Sequence, residues 1–433
     1  MLSNYKSQKS IIPFLIATII PLFTGLGTST ANIISLIEII ILLYYFYTDI
    51  FWIMSPIYYI YYSQLLLIGD RIALFTLYSV ICVLRMLYLD RELPYKMVIH
   101  FAPMLILLLY GSVVLGCSTS IWNGLILAIQ SIALFYSIIC IHRRNGLATI
   151  VKRVLVFMCI SGAIYGVLFM NVAGVNDIQA TLIQYGSRYS GTTSDPNYMA
   201  FFYCIAMVFA LFDKGIHAML KRAIVIALAI AIILTASLTA LITVVCALIM
   251  YIVVAQEVKI KVKIVNVMLI LAISGLFIVF IMNQSIDIPL LNLLRSRILE
   301  RMEFLINGDT YMMTSGRTEY SRQYIDYLFS QNLVRVIFGG YQYNSMALVG
   351  EAIDEIRFAS HNTYVDVLMT TGIIGFAVFM YIILRNIICP FKRWLITRDS
   401  NELGNIAYEI VVVIFIAGLS VFPSTSYMFF LLL

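Results

Sequence analysis

The sequence predicts an all-α polytopic membrane protein, with about 11–14 transmembrane helices and one long structured outer loop. Three observations predict it. Hydrophobic residues make up 62% of the 433 and charged ones only 12%, where soluble domains sit near half apolar and a quarter charged; mean hydropathy is +0.96. Apolar runs of about 20 residues, the length that crosses the hydrocarbon core as a helix, recur along the chain. The lysines, sorted by those runs, all fall on one side.

The runs lie near residues 10–28, 31–47, 50–68, 72–89, 97–116, 121–141, 153–173, 197–213, 264–284, 362–388 and 406–422. Lys6 and Lys9 ahead of the first run, and Ser29-Thr30-Ala31 after it, imitate a signal peptide. Its length and the span that follows at once favour an uncleaved first helix. Residues 223–255 are long for one span and short for two, and Thr235-Ala236-Ser237-Leu238-Thr239 divides them. A pair of short helices is expected there, re-entrant in one reading, because unpaired backbone at that depth needs hydroxyl partners or a protein-lined cavity. The tail 425–433 is too short to span. Neither an internal repeat nor a domain boundary is evident, so residues 1–433 read as a single integral membrane domain with 285–361 inserted between spans.

Lys6, Lys9, Lys96, Lys152, Lys214, Lys221, Lys259, Lys261, Lys263 and Lys392 share the side of the N-terminus. The charge-bias rule makes that side cytoplasmic. The formal charge of +6 is scattered between apolar runs, which is no nucleic-acid footprint. Seven cysteines without a CxxC pair, most of them in apolar runs, read as buried thiols, with neither disulfide nor metal.

The outer connections hold no lysine, yet carry Arg71, Arg188, Arg295, Arg297, Arg301, Arg317, Arg322, Arg335 and Arg357. A guanidinium presents a planar fork of donors that matches phosphate and carboxylate oxygens. An anionic ligand accounts for this; so does selection against lysine in translocated segments, with nearby acidic residues as partners.

Two outer loops are long, 174–196 and 285–361, and long loops carry function more often than short ones. The first ends in Arg188-Tyr-Ser-Gly-Thr-Thr-Ser-Asp-Pro-Asn197. Asp195 and Asn197 suit a helix cap with Pro196 in the first turn, and Arg188 would stand above that helix start, a natural anion site. In the second loop, Tyr320, Tyr324, Tyr327 and Leu328 recur at helical spacing among Glu319, Arg322, Gln323 and Asp326, predicting an amphipathic helix over a cavity or the membrane surface. Phe338-Gly-Gly-Tyr341 predicts a tight turn. His361-Asn362 directly precedes a span containing Thr371-Gly-Ile-Ile-Gly375. Each fragment also has a structural explanation of its own, as cap, turn or solvated face.

Taken in order, Arg188 with Asp195-Pro196-Asn197, Gly316-Arg317, Gly339-Gly340, His361-Asn362 and Thr371-Gly-Ile-Ile-Gly375 resemble the O-antigen ligase and Wzy-type polysaccharide polymerase superfamily over roughly residues 185–390. The chain departs from the family where its short-helix pair often carries Ser-Arg, since Leu238 follows Ser237 here. The resemblance implies a bacterial cytoplasmic-membrane enzyme that moves glycans from polyprenyl (undecaprenyl) diphosphate carriers, building O-antigen, capsule or exopolysaccharide. It implies catalytic or diphosphate-binding roles for His361, Arg317 and Arg188. Around them, Asn197, Arg322, Asn362, Tyr320 and Tyr324 are the candidate substrate contacts.

Chemistry fits these residue types. Guanidinium groups aimed at a departing diphosphate stabilise its developing charge. An imidazole can take the proton of the attacking sugar hydroxyl, and attack opposite the leaving group inverts the anomeric centre. No Asp-x-Asp stands in either loop, and Glu351, Asp354 and Glu355 read as a solvated acidic stretch, so the reaction is expected to need neither metal nor cofactor. Polymerisation of carrier-linked repeats is the leading expectation and ligase-type transfer to a lipid or protein acceptor its variant. The expected partners are the carrier-linked donor and acceptor, the bilayer, and a flippase and chain-length regulator. A transporter for lipid-linked sugars is the rival from another class; it calls for repeated halves and mid-membrane ionisable residues, and Glu38, Arg85, His100 and Glu409 form no symmetric pattern.

Overall fold

The computed structural model describes residues 10–26, 28–61, 67–68, 72–89, 93–144, 146–169, 195–254, 259–285, 288–307, 317–341, 360–419, 421–422, 424, 428–429 and 432. Helix α1 (Ile12–Ile19) carries Pro13 in its first turn, where a missing N–H is harmless, and continues as a 3₁₀ helix to Leu26. Then come α2 (Thr28–Tyr44), α3 (Ile50–Ile53) and α4 (Ser55–Tyr61). A minimal antiparallel pair, β1 (Leu67–Ile68) with β2 (Ile72–Ala73), leads into α5 (Leu74–Tyr88). The next helices are α6 (Tyr95–Ser118), α7 (Ile121–Arg143), α8 (Leu147–Phe169), α9 (Pro196–Phe212), α10 (Ala218–Thr235), α11 (Leu238–Val254) and α12 (Ile260–Met282). The chain closes with α13 (Pro289–Asn307), α14 (Arg317–Ser330), α15 (Leu333–Phe338), α16 (Thr363–Thr397) and α17 (Ser400–Ile416).

Six described helices are long and apolar enough to cross a membrane: α6, α7, α8, α10, α12 and α16. Shorter apolar helices stand among them, including α2, α5, α9 and α11. The expected span over 50–68 takes a different form. Pro56 cannot donate to Trp52 and its ring crowds that carbonyl, so the helix breaks at Met54, and the Ser55 hydroxyl donates to the freed Trp52 oxygen at 2.8 Å. The division of 223–255 falls where the hydroxyl-rich break lies. Ala236 closes α10 in the left-handed region (φ 49°), and Thr235, Ala236 and Ser237 are all buried.

Helix α9 is buried along most of its length and packs against α8, α10, α11 and α17, so it forms the axis of the bundle. A helix apolar all round suits that position. In contrast, α12 buries only Ile281 among its described residues, as a helix facing lipid would. Between α6 and α7 the contact is backbone to backbone. A Cβ added at Gly124 would meet Ser112 O at 2.7 Å and Gly116 Cα at 2.8 Å, the small-residue approach that membrane helices use in place of hydrophobic driving force. The thiol expectation needs one correction: Cys82, Cys140, Cys159 and Cys204 are buried, whereas Cys117, Cys246 and Cys389 are exposed on the bundle surface. Cys389 lines a cavity between helices.

Polar contacts sort the helix ends into two groups. Arg144 pairs with Asp49 at 2.6 Å, Arg85 donates to Phe46 O and Thr48 O, Lys214 pairs with Asp399 at 3.7 Å and Lys221 donates to Leu211 O at 3.0 Å. These mark one end, which holds the described lysines. Contacts of Thr363 with Leu419, of Arg295 with Ile281 and of Tyr110 with Phe338 mark the opposite end.

Candidate functional site

The site is built at the end opposite the lysines. There the start of α16 and the start of α9 flank the same end of α17. Thr363 donates to Leu419 O at 2.5 Å and accepts from Val421 N at 3.1 Å, while Phe201 and Phe415 meet at 5.6 Å between ring centroids.

Residues 360–366 form a braced entrance to α16. Asn362 caps it, its side-chain oxygen accepting from Tyr364 N at 3.0 Å. The Ser360 hydroxyl accepts from Asn362 N at 3.1 Å and lies 2.5 Å from Oδ1 of Asp366, to which it donates. Asp366, one turn into the helix, is 1% exposed. Between these braces His361 is half-buried and holds φ +49°. A left-handed conformation costs a non-glycine residue about 1–2 kcal/mol. It persists where the surroundings over-determine it, and such residues cluster at functional sites.

Helix α14 lies across this entrance. Tyr324, Leu328, Tyr341, Val365 and Met369 form a separate small core, with Tyr320 and Tyr327 packed on it. Burial and the neighbouring Asp366 carboxylate push the Tyr324 hydroxyl up to about 12, so it stays a neutral hydrogen-bonding group beside that carboxylate. Tyr341, also raised by burial and by Tyr327, sits under the Arg335 guanidinium, 5.2 Å from its ring centroid.

A glycine pair locks this unit to the membrane helix. The turn Gly339-Gly340 has positive φ at both residues (69° and 103°), and Gly372 breaks α16 with φ 65° and ψ −169°. Because the break frees carbonyls of the preceding turn, Gly340 N donates to Thr370 O at 2.9 Å and Tyr341 N to Met369 O at 3.2 Å. A Cβ at Gly339 would stand 2.5 Å from Gly372 N, and one at Gly372 would stand 2.2 Å from Ile337 O. Tyr110 of α6 adds a 2.7 Å bond to Phe338 O.

No family model matches the chain, and none of the curated proteins matches it.

Of the candidate residues, the structure brings Tyr324 and Asn362 next to Asp366, packs Tyr320 on the same small core, and holds His361 within the entrance turn. Asn197 lies in the first turn of α9, where its N–H donates to the Asp195 cap at 2.7 Å. Arg322 does not join the cluster: it is strongly exposed and lies 3.6 Å from Asp326 one turn on. That is the i,i+4 pairing expected of a solvated helix face. Arg188 lies outside the described residues, as do Gly316 and the acidic stretch 351–355; Arg317 opens α14, its side chain lying outside the description. Ser360 and Asp366 were not singled out by the sequence. The signal for Asp366 is a carboxylate inside an apolar run, four residues after Asn362, a position that merits attention in any membrane helix. Near the buried turn of α10 and α11, Arg297 Nη1 donates to Ala236 O at 3.0 Å, bringing a cation from α13 to the place where Leu238 supplies none. Among the described residues no group of three or more His, Cys, Asp or Glu side chains could hold a metal ion.

Proposed function

We propose that the protein is a membrane glycosyltransferase that polymerises polyprenyl-diphosphate-linked oligosaccharide repeats into a surface polysaccharide on the outer side of the bacterial cytoplasmic membrane. In this reading the long and the shorter apolar helices together cross the bilayer, with the lysine end in the cytoplasm. The observation that carries it is His361: a strained, half-buried histidine at the mouth of a membrane helix whose entrance is tied by the buried Ser360–Asp366 bond and whose first turns pack against a tyrosine-rich amphipathic helix. His361 is the base that takes the acceptor hydroxyl's proton. Asp366 and Ser360 position it through the backbone, and Tyr320 and Tyr324 offer ring faces and hydroxyls to sugars. Arg317 and Arg188 stabilise the departing diphosphate by charge and bidentate hydrogen bonds. The C–O bond from anomeric carbon to diphosphate breaks as the acceptor oxygen bonds to that carbon with inversion; the proton goes to His361 and the electron pair to the diphosphate.

Partners in this proposal are the carrier-linked donor and acceptor, a flippase and a chain-length regulator. Ligase-type transfer would use the same groups on another acceptor. Deleting the gene and analysing carrier lipids tests the reading. Loss of surface polymer with single repeats accumulating on the carrier supports polymerisation. Accumulation of full-length polymer on the carrier assigns ligation instead, and unchanged glycans refute both.

A further inference from the structure

At the lysine end, far from the candidate site, α6, α8, α9, α16 and α17 part around a cavity of about 840 Å³. Its walls carry apolar groups, among them Phe101, Val156 and Phe209, beneath a rim and floor rich in cations. Several of those cations are already matched. Arg153 grips Asp213 with two bonds (2.6 and 3.0 Å), Arg393 grips Glu402 likewise (2.8 and 2.9 Å), and Lys214 pairs with Asp399. Arg153 in turn holds the Asp213 carboxyl below its usual range.

What remains is unbalanced. Lys96, Lys152 and Arg385 line the cavity with no carboxylate within ion-pair distance among the described residues, and Glu409 is the one lining carboxylate left to offset them. Lys152 Nζ rests 4.7 Å above the Phe209 ring and 3.5 Å from Asn405 Oδ1. Arg385 spends Nη1 on His100 O at 2.8 Å, while its Nε is buried with no hydrogen-bond partner. His100 and His142 face the same space. Cations that serve only to orient a membrane protein stand exposed at helix ends, as Lys259 and Lys261 do. Lys152 and Arg385 instead line a concavity that is partly removed from water, where excess charge is costly.

We propose that this cavity binds a phosphate group carried on a lipid, entering from the leaflet at the lysine end. A phosphate supplies the missing negative charge and enough acceptors for Lys96, Lys152 and the open side of Arg385. The apolar walls take the first carbons of the lipid, and the volume lies within the range of ordinary ligand pockets, roughly 300–1,000 Å³. The site is independent of the glycosyl-transfer reading, because it shares no residue with it.

The test is a native mass-spectrometry titration of the full-length, delipidated protein with phosphatidylglycerol, with phosphatidylcholine and with inorganic phosphate. Phosphatidylglycerol should bind at least about tenfold tighter than phosphatidylcholine. Lys152→Met and Arg385→Gln should each weaken it about tenfold. Lys261→Gln, an exposed lysine of the same end, should leave it unchanged. Lys96→Gln at the exposed rim cannot unfold the core, so a several-fold loss there decides the matter if a core variant fails to fold. Equal affinity for the two lipids, or phosphatidylglycerol binding untouched by Lys96→Gln and Arg385→Gln in folded protein, overturns the site. Displacement of the lipid by inorganic phosphate at equal concentration overturns the lipid and leaves free phosphate as the ligand.

Discussion

Replacing Gly372 with alanine should unlatch the α14–α15 unit from α16. At φ 65° and ψ −169° the residue occupies backbone space that is essentially glycine's own, and holding alanine there costs about 1–3 kcal/mol. The new Cβ would also stand 2.2 Å from Ile337 O and 2.6 Å from Gly339 N, and backbone atoms cannot rotate away. The turn must therefore withdraw, giving up Gly340 N to Thr370 O and Tyr341 N to Met369 O, at about 1 kcal/mol each. The sum is about 3–5 kcal/mol, concentrated on one turn. At 1.4 kcal/mol per tenfold, the amides of residues 340 and 341 should exchange at least about a hundredfold faster. Hydrogen exchange in detergent or nanodiscs reads this directly, with Gly275→Ala as control, since nothing lies within 4 Å of a Cβ there. The helical core should keep its protection. Unchanged exchange at residues 333–341 would refute the latch.

Three further outcomes are expected. Single thiols introduced as Lys261→Cys and Ser345→Cys in intact cells should label with an impermeant reagent only at position 345; the reverse pattern would invert the topology and remove the site from the outer side. Arg317→Lys should cut polymer by about tenfold or more despite the retained charge, because the planar fork is lost at a cost of roughly a kcal/mol or more; near-normal polymer at normal protein levels would argue against a diphosphate contact. Tyr324, pushed up to about 12, is protonated throughout pH 5–9, so Tyr324→Phe should change the rate without moving the pH profile. A shifted acid or alkaline limb would mean that this hydroxyl titrates during turnover.

The architecture was legible because hydrocarbon imposes a simple code. Apolar runs of one length mark helices, and lysine sorts their ends, which is how the Thr235–Ser237 break and the shared end of Lys152, Lys214 and Lys221 could be read. The broken helix at Met54 was less visible, since Pro56 acts through the carbonyl of Trp52 and its hydroxyl rescue by Ser55 is a three-dimensional contact. Gly339-Gly340 read as a turn, but the sequence does not say that it docks into a gap at Gly372, because that pairing joins positions that composition and periodicity do not relate. The candidate site was half legible. His361, Asn362, Tyr320 and Tyr324 could be found as motif and amphipathic pattern, while Asp366 and Ser360 emerge only when the loop folds back on its own helix. Arg322 looked like its neighbours in one dimension and proved to face solvent.

The most direct measurement is conversion of a purified polyprenyl-diphosphate oligosaccharide by the reconstituted protein and by its His361→Ala variant, with donor binding followed in parallel. The wild-type protein should extend the donor into a ladder with inverted linkages, and its rate should fall on the acid side as imidazole protonates. His361→Ala should bind donor nearly as well and turn over about 100- to 10,000-fold more slowly. Turnover by the alanine variant at near wild-type rate with an unchanged pH profile would contradict the central role given to this histidine.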